Sequence, residues 1–381
     1  MSKPFAQSRF LRQVILFLSP FLFVLCMFEI LFWQAGETWP VTRVIEYQRE
    51  HLDALFLRGK FDQQICRYKY LGLREAKPRI LALGSSRVMK FRTEMFGEGS
   101  GSFYNGTGLI DQIEDLDDFL ELFRNNLPKV IILGIDPWIL NEQRHSTRRL
   151  ATSLEPDAAL DWKGHLAILR HLRGRDLGRL WTAAIRRPPE RIGAAATMNN
   201  EGYRWDGSFA THLSIDGTNW AFRDRESPPV PERIRKAKQR FEATPHASQV
   251  YLARLARDLR LLKNSGVTVI GFLPPFSSEA NRLLSTLPDQ EQFWSEYKAA
   301  SKELFQNLSM PFFDATDLST LGLDDRYMFD GMHAEETFHL HLLRRLLKDP
   351  AVQAALPNTS ARVEAALSDP ATNFYYPRFS K

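Results

Sequence analysis

From Val14 to Trp33 the chain reads 14-VILFLSPFLFVLCMFEILFW-33, a mostly apolar run whose one charge is Glu29. As a helix rising about 1.5 Å per residue it is about 30 Å long, the hydrocarbon thickness of a bilayer. The pattern predicts one transmembrane helix, with Glu29 near an end where its carboxylate reaches water. A cleaved signal peptide is the competing reading. The run exceeds the usual apolar segment of such a peptide, and no A-x-A site follows it. The periodicity then changes. Val41, Ile45, Leu52 and Leu55 lie close to one stripe, which predicts a helical stalk over 41–75, ended by Lys77-Pro78. Beyond Arg79, short apolar runs alternate with amphipathic segments. Strands are predicted over 80–83, 102–105, 130–133, 267–273 and 311–313. Helices are predicted from near Ser86, over 111–127, over 247–266 with a terminal glycine, and over 335–347. Such alternation implies an α/β fold with a mostly parallel sheet covered on both faces. Residues 141–246 interrupt the order as an insertion or cap, and no clear pattern follows about residue 358.

These patterns divide the chain into a cytoplasmic N-terminus (1–13), the membrane helix (14–33), the stalk (34–77), an α/β domain (78–347) carrying the insertion, and a tail (348–381). With 381 residues, 44% apolar and 25% charged, the composition is that of a globular protein. The net charge of +5 is mild, and no basic region with interleaved aromatics follows a nucleic-acid reader pattern. Cys26 lies inside the apolar run and Cys66 beyond it, so no disulfide is expected. No Cys/His spacing suggests a metal, and no cofactor motif is present. Lys3, Arg9 and Arg12 precede the apolar run, whereas Glu37 and Arg43 are the first charges after it. The positive-inside rule places the N-terminus in the cytoplasm and the rest outside the membrane, with Trp33 and Trp39 at the outer interface.

Candidate chemistry starts at 79-RILALGSSRVMKF-91. Ligands bind at the carboxyl ends of strands in open parallel sheets. A serine there gains from the N-terminal end of a helix dipole, and nearby N–H groups can stabilise an oxyanion. Alone, the stretch reads more readily as a glycine turn and a serine cap. Far along the chain, 328-MFDGMHAEE-336 sets Asp330 three residues before His333. A hydroxyl needs a base to become a nucleophile, and an imidazole needs a carboxylate to fix its tautomer.

These blocks resemble the SGNH (GDSL-type) hydrolase superfamily, in its membrane-anchored, extracytoplasmic branch with the teichoic-acid D-alanylation and alginate O-acetylation proteins. The resemblance covers residues 78–347 without the insertion. It implies a three-layer, flavodoxin-like sandwich. It makes Ser86 the nucleophile, with Ser85 in the position of the family aspartate, His333 the general base and Asp330 its orienting partner. The second family block supplies a glycine N–H to the oxyanion hole, and either Gly106 or Gly108 fits. The third block normally ends in an asparagine donor, but 134-GIDPW-138 places Asp136 there. An ionised aspartate accepts hydrogen bonds and opposes an oxyanion. Either Asp136 is protonated, or it holds another group such as Arg87, or backbone N–H groups alone form the hole. The resemblance further implies acyl transfer to or from an envelope or exported polysaccharide hydroxyl, with a multi-span O-acyltransferase as partner. The alternative is a catalytically inactive scaffold of the same fold.

Three other stretches bear weighing. Tyr203, Trp205 and Asp206 in 202-GYRWDGSFA-210 have residue types that grip sugars, or form a turn stapled by tryptophan. The arginine-rich stretch from Arg144 to Arg191 suits anionic glycan or lipid headgroups, or a solvated face. Pro274-Pro275 makes a rigid loop expected to shape the pocket. No G-x-S-x-G elbow supports an α/β-hydrolase.

Overall fold

The computed structural model describes residues 4–58, 61–99, 101–144, 150–154, 181, 184–185, 189–211 and 228–368. They divide into two compact units, Met1–Phe61 with Ala158–Gly202, and Asp62–Asp157 with Tyr203–Lys381.

In the first unit, α1 (Pro4–Ala35) carries the apolar run. Its stretch Phe10–Ala35 has a mean hydropathy of 2.6 and is long and apolar enough to cross a membrane, about 39 Å at helical rise. Phe17 and Phe21 are 82% and 74% exposed, so the apolar surface has no protein cover there. The expected stalk is not one helix. α2 (Val41–Glu50) stops at His51, and a two-residue strand, Leu55–Phe56, pairs in parallel with Arg191–Ile192. Leu52 and Leu55, placed on one helical stripe by spacing, therefore lie in a turn and a strand; Leu55 is buried and Leu52 exposed.

The second unit is mixed α/β. α3 (Phe61–Ala76) leads into β1 (Ile80–Gly84). Then come β2 (Phe103–Thr107), α4 (Ile113–Phe123), β3 (Val130–Gly134), α5 (Gln249–Asn264) and β4 (Thr268–Leu273). α6 (Ser278–Thr286), α7 (Pro288–Asn307), β5 (Phe312–Asp314) and α8 (Glu336–Leu346) follow. The five strands form one parallel sheet in the order β2-β1-β3-β4-β5. Every residue of β1, β2 and β3 is buried, as a sheet covered on both faces requires. Ile80, Ala82, Val130, Ile132, Ile270 and Phe272 share one core with Phe338 and Leu342 of α8. On the opposite face a Cβ at Gly271 would collide with the Phe305 ring of α7, so glycine lets this helix lie close. The chain order reverses direction at β1, which has β2 on one side and β3 on the other. That is where parallel sheets open a crevice at their carboxyl edge.

Two elements differ from the pattern. No α-helix follows β1; the chain makes only 3-10 turns at Ser86–Val88 and Thr93–Met95. Val88, Lys90, Phe91, Arg92, Thr93, Met95 and Phe96 are all buried, and only Ser86, Met89 and Glu94 of the segment are partly exposed. The Asn105 amide donates to the Val88 and Phe91 carbonyls at 2.8 and 2.9 Å, drawing off acceptors a helix would use. The helix-dipole contribution expected at Ser86 is thus reduced to one short turn. The tail, for its part, is structured up to Ser368. Helices Pro350–Ala355 and Thr359–Ser368 place Val352, Val363 and Ala366 in the core beneath α8.

Candidate active site

β1 ends on Gly84, with φ +153°, where a Cβ would lie 3.0 Å from both the Gly134 carbonyl and Val88 Cγ1. A Cβ on Gly134, at the end of β3, would meet the same Val88 methyl at 2.6 Å. Two glycines at neighbouring strand ends thus let the chain turn sharply after β1 and seat Val88 beneath the turn. The Thr107 hydroxyl donates to the Ser85 carbonyl at 2.8 Å and fixes the turn from β2. Ser86 emerges half-buried, while Ser85 is buried and accepts the Arg87 N–H on its Oγ at 3.3 Å.

Across 247 positions of sequence, Ser86 Oγ lies 2.8 Å from His333 Nε2. His333 Nδ1 lies 2.8 Å from Asp330 Oδ2. Asp330 Oδ1 accepts the N–H groups of Met332 and His333, each at 2.8 Å. One carboxylate therefore shapes the loop and orients the imidazole. Burial alone would push the Asp330 carboxyl up. His333 and the two N–H groups more than offset this and hold it below the ordinary carboxylate range. With the Nδ1 proton held by Asp330, Nε2 faces the serine as an acceptor. This is the arrangement a hydroxyl needs to lose its proton during attack.

Arg87 and Asp136 form an ion pair at 2.9 Å, with both side chains 1% exposed. Burial raises the Asp136 carboxyl and lowers the Arg87 guanidinium, each shift opposed by the partner's charge. Asp136 accordingly sits as an acceptor, engaged by the residue after Ser86. Gly106 is interior to β2, in register with Leu83 of β1. Gly108, at φ +79°, donates its N–H to the Gly84 carbonyl at 2.8 Å, so that donor is already used. The Ser86 N–H makes no hydrogen bond among the described residues.

Several supporting groups have no signal in local spacing. The Met332 carbonyl accepts from Arg87 Nε at 3.0 Å, and the Pro275 carbonyl accepts from Arg87 Nη2. The Tyr297 hydroxyl donates to the Ile135 carbonyl at 2.7 Å, holding the chain just before Asp136. His339 lies behind the Ser86 turn, with Nδ1 2.7 Å from the Glu335 carbonyl and Nε2 3.3 Å from that of Arg87.

The Tyr203–Asp206 stretch is a buried turn. Asp206 Oδ1 accepts from the Ser208 N–H and hydroxyl, and Oδ2 from the Thr93 N–H. Lys69 Nζ lies 4.0 Å from the Tyr203 ring centroid. The carboxylate is thereby committed to the fold. Most of the arginine-rich stretch lies outside the described residues; Arg144, within them, pairs with Asp111. Among the described residues no group of three or more His, Cys, Asp or Glu side chains is placed to hold a metal, and neither Cys26 nor Cys66 is in a disulfide. No family profile matches the chain, and no curated protein matches it.

Proposed function

We propose that the chain is a membrane-anchored acyl-transfer enzyme of the SGNH type, acting outside the cytoplasmic membrane. Ser86 is its nucleophile, His333 its general base and Asp330 the group that fixes the imidazole. The observation that carries this reading is the continuous hydrogen-bonded series Ser86–His333–Asp330, with 2.8 Å at each link. The strand order β2-β1-β3-β4-β5 supports it, since this is the flavodoxin-like order and Ser86 follows β1 at the switch point.

In the first half-reaction Ser86 Oγ attacks an acyl carbonyl as His333 Nε2 takes the hydroxyl proton. The tetrahedral adduct collapses, the leaving oxygen takes that proton from His333, and the acyl group stays on Ser86. An acceptor hydroxyl then gives its proton to His333 and attacks the acyl carbonyl; the Ser86 Oγ–acyl bond breaks, Ser86 takes that proton back from His333, and the acylated acceptor leaves. A glycan hydroxyl as acceptor makes the protein an O-acyltransferase for an envelope or exported polysaccharide; water makes it an esterase. The N–H of Ser86, without a hydrogen-bond partner among the described residues, is the backbone donor assigned to the oxyanion, and Asp136 takes no part as a donor. The apolar α1 supports an anchor. The cations Lys3, Arg9 and Arg12 support an inward N-terminus, with the catalytic unit outside, in the periplasm of a two-membrane cell. There a multi-span partner can deliver the acyl group.

The inactive-scaffold alternative draws on Asp136 and on the committed Gly108 N–H. Turnover of an activated acetyl ester by the detergent-purified chain, and acetyl transfer to a polysaccharide, separate the two. Ser86→Ala and His333→Ala are expected to lose both activities while keeping native near-UV circular dichroism. Full activity in either folded variant overturns the assignment.

A further inference from the structure

Arg87 is a buried charge beside the nucleophile that the proposed chemistry does not use. Its guanidinium engages three separate chain segments. Nη1 donates to Asp136 after β3, Nη2 to the Pro275 carbonyl after β4, and Nε to the Met332 carbonyl at the residue before His333. Its Cζ lies 3.8 Å from the Phe276 ring centroid, so an aromatic face closes over the fork. Its own backbone continues from Ser86. One planar group therefore spans the distance between the serine turn and the histidine loop. Asp330 grips the N–H groups of that loop, and Arg87 grips its carbonyl at Met332.

Packing alone does not call for this residue. Burying a guanidinium requires full pairing, and an apolar side chain of similar volume often fills such a space without loss of stability. The planar, multi-donor fork supplies geometry, which a flexible ammonium cannot copy. Asp136 then has a defined task. It stands at the position of the family's oxyanion donor but serves as the counter-charge of the fork.

We infer that Arg87 is a positioning residue, held by Asp136, which sets the separation and orientation of His333 relative to Ser86. The inference rests on the reading of Ser86 as the nucleophile and deepens it. Misplacing a base by about 1 Å costs on the order of 10- to 100-fold in rate.

The test is phosphonylation kinetics with a fluorophosphonate probe on the full chain in detergent, comparing wild type with Arg87→Lys. Lysine keeps the charge beside Asp136 but not the fork. The maximal labelling rate constant is expected to fall 10- to 100-fold, with the half-saturating probe concentration unchanged. The downfield proton resonance of His333 Nδ1–H is expected to shift or broaden. Should Arg87→Lys fail to fold, the neutral pair Arg87→Gln/Asp136→Asn replaces it, with the same expected loss. Wild-type labelling rate and proton resonance retained in a folded variant overturn the inference while leaving Ser86 as nucleophile. Absence of labelling in the wild type removes the reading of Ser86, and the positioning role with it.

Discussion

Two short segments, 86–92 and 330–336, meet twice in the core of the α/β unit, and the two meetings differ. At one, Ser86, Arg87, Asp330, Met332 and His333 interlock, and their hydroxyl, guanidinium, carboxylate and imidazole all find partners. At the other, Arg92 pairs with Glu336, which also lies 3.9 Å from Lys90. There Glu335 is buried with neither carboxylate oxygen hydrogen-bonded among the described residues. Burial drives the carboxyls of both Glu335 and Glu336 up. Both places bury charge, yet only the first pairs a half-exposed hydroxyl with an oriented base. Burial of ionisable groups therefore does not by itself mark chemistry. Complementary donors and acceptors around a reachable nucleophile do.

That contrast predicts separable effects. Asp330→Asn should cut acyl transfer by on the order of 10³- to 10⁴-fold, because the amide no longer holds the imidazole in its acceptor tautomer. Steady-state turnover reads this, and near-wild-type rates would erase the distinction between the two places. Arg92→Met removes the main partner of a buried carboxylate and should cost about 3–5 kcal/mol of stability. Urea unfolding measures it, and the rate of Ser86 labelling in the folded fraction should stay at the wild-type value. A slower Ser86 in that variant would join the ionic cluster to the site.

A smaller effect concerns His339, which touches both places. Burial lowers its imidazole to about 4, with the carbonyls of Glu335 and Arg87 acting in the opposite sense. The ordinary value is about 6.5. Between these values the unfolded chain binds a proton that the folded chain refuses. Stability therefore falls as pH drops from about 6.5 to about 4, by about 3 kcal/mol in total. Comparing wild type with His339→Gln cancels the contributions of Glu335 and Glu336. The stability difference should move toward the variant by that amount between pH 7 and pH 4. A difference independent of pH would mean that the folded chain also takes up the proton.

The sheet was legible because β1, β3 and β4 are short, mostly apolar runs that alternate with amphipathic segments, the pattern of strands covered on both faces. Ser86, Asp330 and His333 were legible as residue types at strand and helix boundaries, and the Arg87–Asp136 pair as two charges at neighbouring strand ends. The segment after Ser86 misled because its apolar spacing resembles a helix, while its cations are buried and its carbonyls are bound by Asn105. The stalk misled because Leu55 belongs to a strand whose partner, Arg191–Ile192, lies more than a hundred residues away. Helix α6 is short, with only Ala280, Leu283 and Leu284 buried, the buried face of α7 mixes Gln290 and Ser301 with its aromatics, and Pro350–Ala355 buries only Val352, so these helices escaped notice. No local pattern indicates that the Met332 and Pro275 carbonyls face one guanidinium.

The central claim, that Ser86 is a nucleophile activated by His333, is tested most directly by intact-mass and peptide analysis after fluorophosphonate treatment of the full chain. The account predicts a single adduct on Ser86, absent from Ser86→Ala and slowed at least a hundredfold in His333→Ala. A folded protein that takes no adduct, or one that is labelled at Ser86 equally fast without His333, would contradict it.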